Sequence, residues 1–165
     1  MQLSLLNELE FNDARDAFLK CCGSERWAYA LAAARPYESD DELLKMADAA
    51  FAEFGRDDWM DAFAAHPKIG DVDSLRQKYG NTKDWAQSEQ AGVNGVSDDV
   101  IERLASGNKL YEDRFGYIFI VCATGKSAEE MLAILNGRVD NDPEIELGIA
   151  AEEQKKITHI RLGKL

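Results

Sequence analysis

Along this chain, residues that cap helices stand again and again at the head of apolar runs with three- and four-residue spacing, and helix breakers stand at their foot. Ser39 followed three residues later by Glu42 is a capping box, and it opens DELLKMADAAFAEF with Gly55 as its stop. Inside that stretch Leu43, Leu44, Ala47, Ala50, Phe51 and Phe54 form one apolar face. Asn12 is placed to cap ARDAFLKCC, which stops at Gly23, a residue suited to a left-handed C-terminal cap. Ser24 is placed to cap ERWAYALAAAR, which must end near Arg35 because Pro36 disfavours helix in the residue before it. RDDWMDAFAAH ends at Pro67 in the same way.

The pattern loosens through KIGDVD and resumes in SLRQKY and TKDWAQSEQAG. SDDVIERLASGNKLYEDRF carries Val100, Leu104 and Tyr111 on a stripe, with Gly107 as its weak point. Ser127 and Glu130 make a second capping box before AEEMLAILNGRV, and Asp142 with Pro143 reads as cap and first helical residue of a long terminal helix. Only Tyr117 to Ala123, YIFIVCA, has strand-like composition, and with no second strand to pair with it is expected to run through the middle of a bundle. The expected fold is all-α: a single-domain helical bundle of about seven to nine helices, spanning residues 1–165.

Composition removes several classes of function. Apolar residues make up 45% of the 165 and charged residues 30%, which supports a packed core. The 31 acidic against 19 basic side chains leave a net charge of −12 and no basic stripe, so no nucleic-acid partner is expected. No apolar run approaches the roughly 18–20 residues needed to cross a bilayer. The opening MQLSLLNELEFNDARD lacks a basic start, and the closing GKL is not the SKL address, so a cytoplasmic location is expected. Cys21, Cys22 and Cys122 form no disulfide framework, and with only His66 and His159 available no zinc motif is present.

Three groups could carry chemistry. His66, in AAHPKIGD, sits before a proline where a helix has just stopped, and Gly70 permits a tight turn after it. A ring there titrates near neutrality, and the negative end of a helix would favour its protonated form. The fragment alone more readily describes a helix-ending His-Pro pair with a surface ring. Ala86, Glu89 and Gln90 share a helical face beside Trp85, which suits a pocket for a polar heterocycle and also suits a plain solvated face. Arg161 emerges beside Ile157 and Ile160, where a guanidinium could clamp a carboxylate or simply pair with a surface acid. Arg138 and Lys68 are alternatives for that task. His159 lies roughly 200° round the helix from Arg161 and reads as a surface residue.

Taken in order, HPKIGD, WAQSEQ, FGYIFIVCATG and NDPEIELGIAAEEQKKITHIRL resemble the 2-oxo-4-hydroxy-4-carboxy-5-ureidoimidazoline (OHCU) decarboxylase family, over nearly the whole chain. The resemblance implies an all-helical enzyme of urate degradation that forms (S)-allantoin, needs no metal or organic cofactor, and is commonly a homodimer. It places catalytic residues at His66, Glu89 and Arg161. It places substrate contacts at Pro67, Ala86, Gln90 and the run Phe119, Ile120, Val121, Cys122 and Ala123, whose backbone could hydrogen-bond an anionic ureidoimidazoline. Ala86 departs from the serine common in the family, which leaves a hydroxyl contact to the substrate either missing or replaced by Ser88, water or backbone. The competing expectations are an acidic helical binding module without catalysis and a hydrolase acting on a related ureide.

Overall fold

The computed structural model describes residues 2–80 and 97–165. Its helices are α1 (Leu3–Glu8), α2 (Phe11–Leu19), α3 (Glu25–Ala33), α4 (Asp40–Ala52), α5 (Arg56–Ala64), α6 (Val72–Leu75), α7 (Asp98–Phe115), α8 (Ala128–Arg138) and α9 (Pro143–Leu162). A π-helical turn, Arg76–Gly80, continues α6. Among the described residues there is no strand, and the fold is all-α.

The caps explain where most helices begin. Ser24 accepts the Trp27 N–H at 3.2 Å, Ser39 that of Glu42 at 3.1 Å, Ser97 that of Val100 at 3.2 Å and Ser127 that of Glu130 at 3.1 Å. Asp142 accepts the Glu144 N–H at 3.0 Å and Pro143 occupies the first turn of α9, where no N–H is needed. Two expected devices differ. Asn12 lies inside α2, which starts at Phe11 without a side-chain cap. Gly23 does not close α2 in a left-handed turn; the positive-φ glycines among the described residues are Gly116, which caps α7, and Gly125. Gly55 stops α4 only indirectly, since it serves as the N-cap of α5 and its N–H donates to Asp58 at 2.9 Å.

The chain divides into two compact units. The first comprises residues 1–66, 120–122 and 149–165. Its core gathers Leu6, Phe18, Trp27, Leu31, Ala47, Phe51, Ala62 and Leu162. Trp27 stacks on Phe51 and Phe51 on Trp59, each pair with ring centroids 5.4 Å apart. The one polar atom of the Trp27 ring is satisfied by the Ala47 carbonyl at 3.1 Å. Arg35 donates to the Leu6 and Leu9 carbonyls, both at 2.7 Å, which satisfies acceptors left over at the end of α1.

The second unit comprises residues 67–119 and 123–148. Here α7 buries Ile101, Leu104, Tyr111 and Phe115, a stripe displaced by one position at its start from the expected Val100. Gly107 is a contact point rather than a weakness: a β-carbon there would lie 2.6 Å from Leu135 Cδ2 of α8. Glu146, fully buried, is paired with Arg138 at 2.5 Å, accepts from the Tyr111 hydroxyl and receives Asn141 at 3.1 Å. Breaking such a buried pair from one side typically costs about 3–5 kcal/mol.

Residues 118–123 form neither helix nor strand. Ile120–Cys122 belong to the first unit, while Phe119 and Ala123 belong to the second.

Candidate active site

The first unit brings His66 onto α9. Helix α5 ends at Ala64, and the His66 N–H turns back to the Phe63 carbonyl at 3.2 Å, so the ring follows the helix end immediately. Gly23 lets this corner approach the α2–α3 connection, because a β-carbon on Gly23 would lie 2.1 Å from Ala65 Cβ. The His66 Nε2 lies 2.5 Å from Gln154 Oε1. Gln154 Nε2 donates to Thr158 Oγ1 at 3.1 Å, and Thr158 Oγ1 donates to the Gln154 carbonyl at 2.9 Å. Both Gln154 and Thr158 are fully buried.

Arg161 completes the same face of α9, at positions i, i+4 and i+7 counted from Gln154 through Thr158. Its guanidinium is half-buried and makes a long hydrogen bond, 3.5 Å, to the Cys21 carbonyl. Among the described residues it has no carboxylate partner. The alternatives for anion binding are committed: Lys68 pairs with Glu112 at 2.8 Å and Arg138 with Glu146. His159 is half-exposed and lies 2.7 Å from Asp48.

Burial and charge set the protonation states. Burial pushes the His66 pKa down, the Gln154 hydrogen bond opposes that shift, and the positive charge of Arg161 adds to it. The ring is therefore held neutral near pH 7, and desolvation outweighs the helix-end effect expected from sequence. Burial raises Cys21 and Cys22 to about 11, partly offset by Arg161, so neither is a thiolate. No group of three or more potential metal-ligating His, Cys, Asp or Glu residues occurs among the described residues.

Of the residues expected from sequence, His66, Arg161, Ile120, Val121 and Cys122 fall in the first unit. The Cys122 N–H donates to Glu153 at 3.2 Å, which ties this segment to α9 one residue before Gln154. That amide is thereby taken within the protein. Pro67, Phe119 and Ala123 fall in the second unit, where the Arg138 guanidinium lies 4.8 Å from the Phe119 ring centroid. Ala86, Glu89 and Gln90 lie outside the described residues. Gln154 and Thr158 were not anticipated. Their signal was available: two polar side chains stand at core positions of a helix whose neighbours on that stripe are Ala150, Ala151 and Leu162.

The sequence profile described as OHCU decarboxylase matches residues 7–163. The chain belongs to the OHCU decarboxylase family. A relative from Arabidopsis thaliana, the uric acid degradation bifunctional protein TTL, is 36% identical over 91% of this chain. The chain spans 46% of that longer protein. The 2-oxo-4-hydroxy-4-carboxy-5-ureidoimidazoline decarboxylase of Haloferax volcanii is 25% identical, over 99% of this chain and 95% of its own length. Among solved structures, an OHCU decarboxylase crystallised in the presence of (S)-allantoin is 35% identical with a TM-score of 0.73, covering 90% of this chain and 96% of that one. The all-helical architecture of this family is the one described above.

Proposed function

We propose that this chain decarboxylates OHCU to (S)-allantoin in urate degradation, with His66 as general base and Arg161 as the seat of the substrate carboxylate. The observation that carries the reading is Arg161, a half-buried guanidinium without a carboxylate partner among the described residues, next to a histidine held neutral. A charge-assisted pair is the natural complement to that guanidinium. In a protein of net charge −12, such a local cation also offsets the general repulsion of an anionic substrate.

The substrate supplies its own electron sink. The bond from the ring carbon to the carboxylate breaks, CO₂ leaves, and the electron pair forms a carbon–carbon double bond as the neighbouring imine nitrogen takes up a proton. The product is an enol. His66 accepts the enol hydroxyl proton while a proton is delivered to the ureido-bearing carbon on one face, giving the carbonyl and the stereocentre of allantoin. In sum one carboxylate and one proton become CO₂ and a C–H bond. General acid–base catalysis of this kind typically contributes 10²–10⁴-fold. Glu89, by the family resemblance, is the candidate for delivering or orienting the second proton.

The test follows CO₂ release and product chirality from freshly oxidised urate with wild type, His66→Ala and Glu89→Ala. Loss of acceleration or of enantiomeric purity in the variants supports the assignment. Retention of both in both variants overturns the site, and ring opening by wild type without CO₂ overturns the reaction in favour of a ureide hydrolase. The same reading extends to a homodimer, measured by light scattering at assay concentration. It also extends to a cytoplasmic location, which suits Cys21, Cys22 and Cys122 as thiols outside any disulfide. Among the described residues no helix is long and apolar enough to cross a membrane.

A further inference from the structure

We infer that Gln154, held by Thr158, is a positioning residue that fixes His66 in the tautomer carrying hydrogen on Nε2, leaving the Nδ1 lone pair as the base. This rests on the reading of His66 as the general base and names the nitrogen and the device that selects it. A neutral imidazole has one N–H and one lone pair, and the partner of one nitrogen decides which is which. The partner here is a carboxamide, which presents either an acceptor or a donor depending on which way it is turned.

Thr158 turns it. The threonine hydroxyl has one hydrogen, and it is given to the Gln154 carbonyl at 2.9 Å. Its oxygen is left as an acceptor and takes the Gln154 Nε2 hydrogen at 3.1 Å. Gln154 Oε1 then points to His66 Nε2 at 2.5 Å, where only an N–H makes a favourable contact. Among the described residues Nδ1 has no partner. The two polar side chains of α9 are fully buried, so water does not compete for either bond. Among the described residues the charged group facing the ring is Arg161, and its positive charge disfavours the doubly protonated imidazolium without choosing between the neutral tautomers. The nearby thiols Cys21 and Cys22 are uncharged.

The test is a ¹⁵N–¹H side-chain correlation spectrum at pH 8 on the full chain with His159→Asn, which leaves His66 as the single histidine. Nitrogen shifts and coupling patterns should report a protonated Nε2 and a bare Nδ1. Gln154→Leu and Thr158→Val should mix the tautomers and lower kcat by about tenfold or more with KM changed less than about twofold, within the range of acid–base contributions. Thr158→Ser, which keeps the hydroxyl, should restore both. Gln154→Glu should move the acid limb of the kcat/KM profile to higher pH by placing a negative charge on Nε2–H. A bare Nε2 in the unperturbed network overturns the inference, as does an unchanged tautomer in both Gln154→Leu and Thr158→Val. The spectra require no substrate, so failure here is distinguishable from wild type failing to release CO₂.

Discussion

At the scale of single residues, Arg161 is set apart by what it lacks. Lys68 and Arg138 are neutralised by Glu112 and Glu146, whereas among the described residues the Arg161 guanidinium has only a 3.5 Å contact to a backbone carbonyl. Arg161→Ala should therefore cost about 1.5–3 kcal/mol of substrate binding, the usual range for a hydrogen bond to a charged group, which is roughly 10- to 150-fold in KM. Steady-state kinetics by CO₂ release checks this. His66 gives a stability prediction. Its folded pKa lies below the unfolded value of 6.5, so the unfolded chain binds more protons as acid is added. The contribution of His66 is present above pH 6.5 and is lost as pH falls from there through its depressed folded value. Urea midpoints of wild type and His66→Asn should thus converge, or cross, on going from pH 7.5 to pH 5.

At the scale of elements, the glycines show how a local reading and a tertiary requirement part company. Gly23 looks like a helix stop because it follows an amphipathic run, and the chain does leave helix before it. Its necessity comes from Ala65 across the unit, 2.1 Å from where a β-carbon would sit. Gly23→Ala should destabilise by about 1–3 kcal/mol, the typical cost of overpacking, and displace the His66 corner. Ala65→Gly removes the clashing atom, so the Gly23→Ala/Ala65→Gly double variant should regain most of the loss in thermal melts. Cap-based expectations fared better: Ser24, Ser39 and Ser127 each accept the amide three residues on. A cap is decided by neighbours in sequence, which is why it is legible there. The unanticipated pair, Gln154 and Thr158, lay in plain view on a stripe otherwise built from small and apolar residues, but ranking them required knowing which face of α9 is buried.

At the scale of the whole molecule, charge governs behaviour in solution. With a net charge of −12 and a pI near 4.6, the protein should stay dispersed at pH 7 and associate as pH approaches 4.6, which dynamic light scattering across pH 4–8 would follow. The chain's order of caps, breakers and apolar steps was enough for the all-helical class, because a helix closes its hydrogen bonds within four residues and its sequence carries that information locally. The order of short motifs was enough for the family. Residue spacing could not supply the meeting of His66 with Gln154 across 88 positions, or of Arg161 with Cys21 across 140. Those contacts form only when α5 and the α2–α3 connection pack against α9. Burial created by that packing then reverses the expected protonation preference of the imidazole, an effect of solvent exclusion that no stretch of sequence contains.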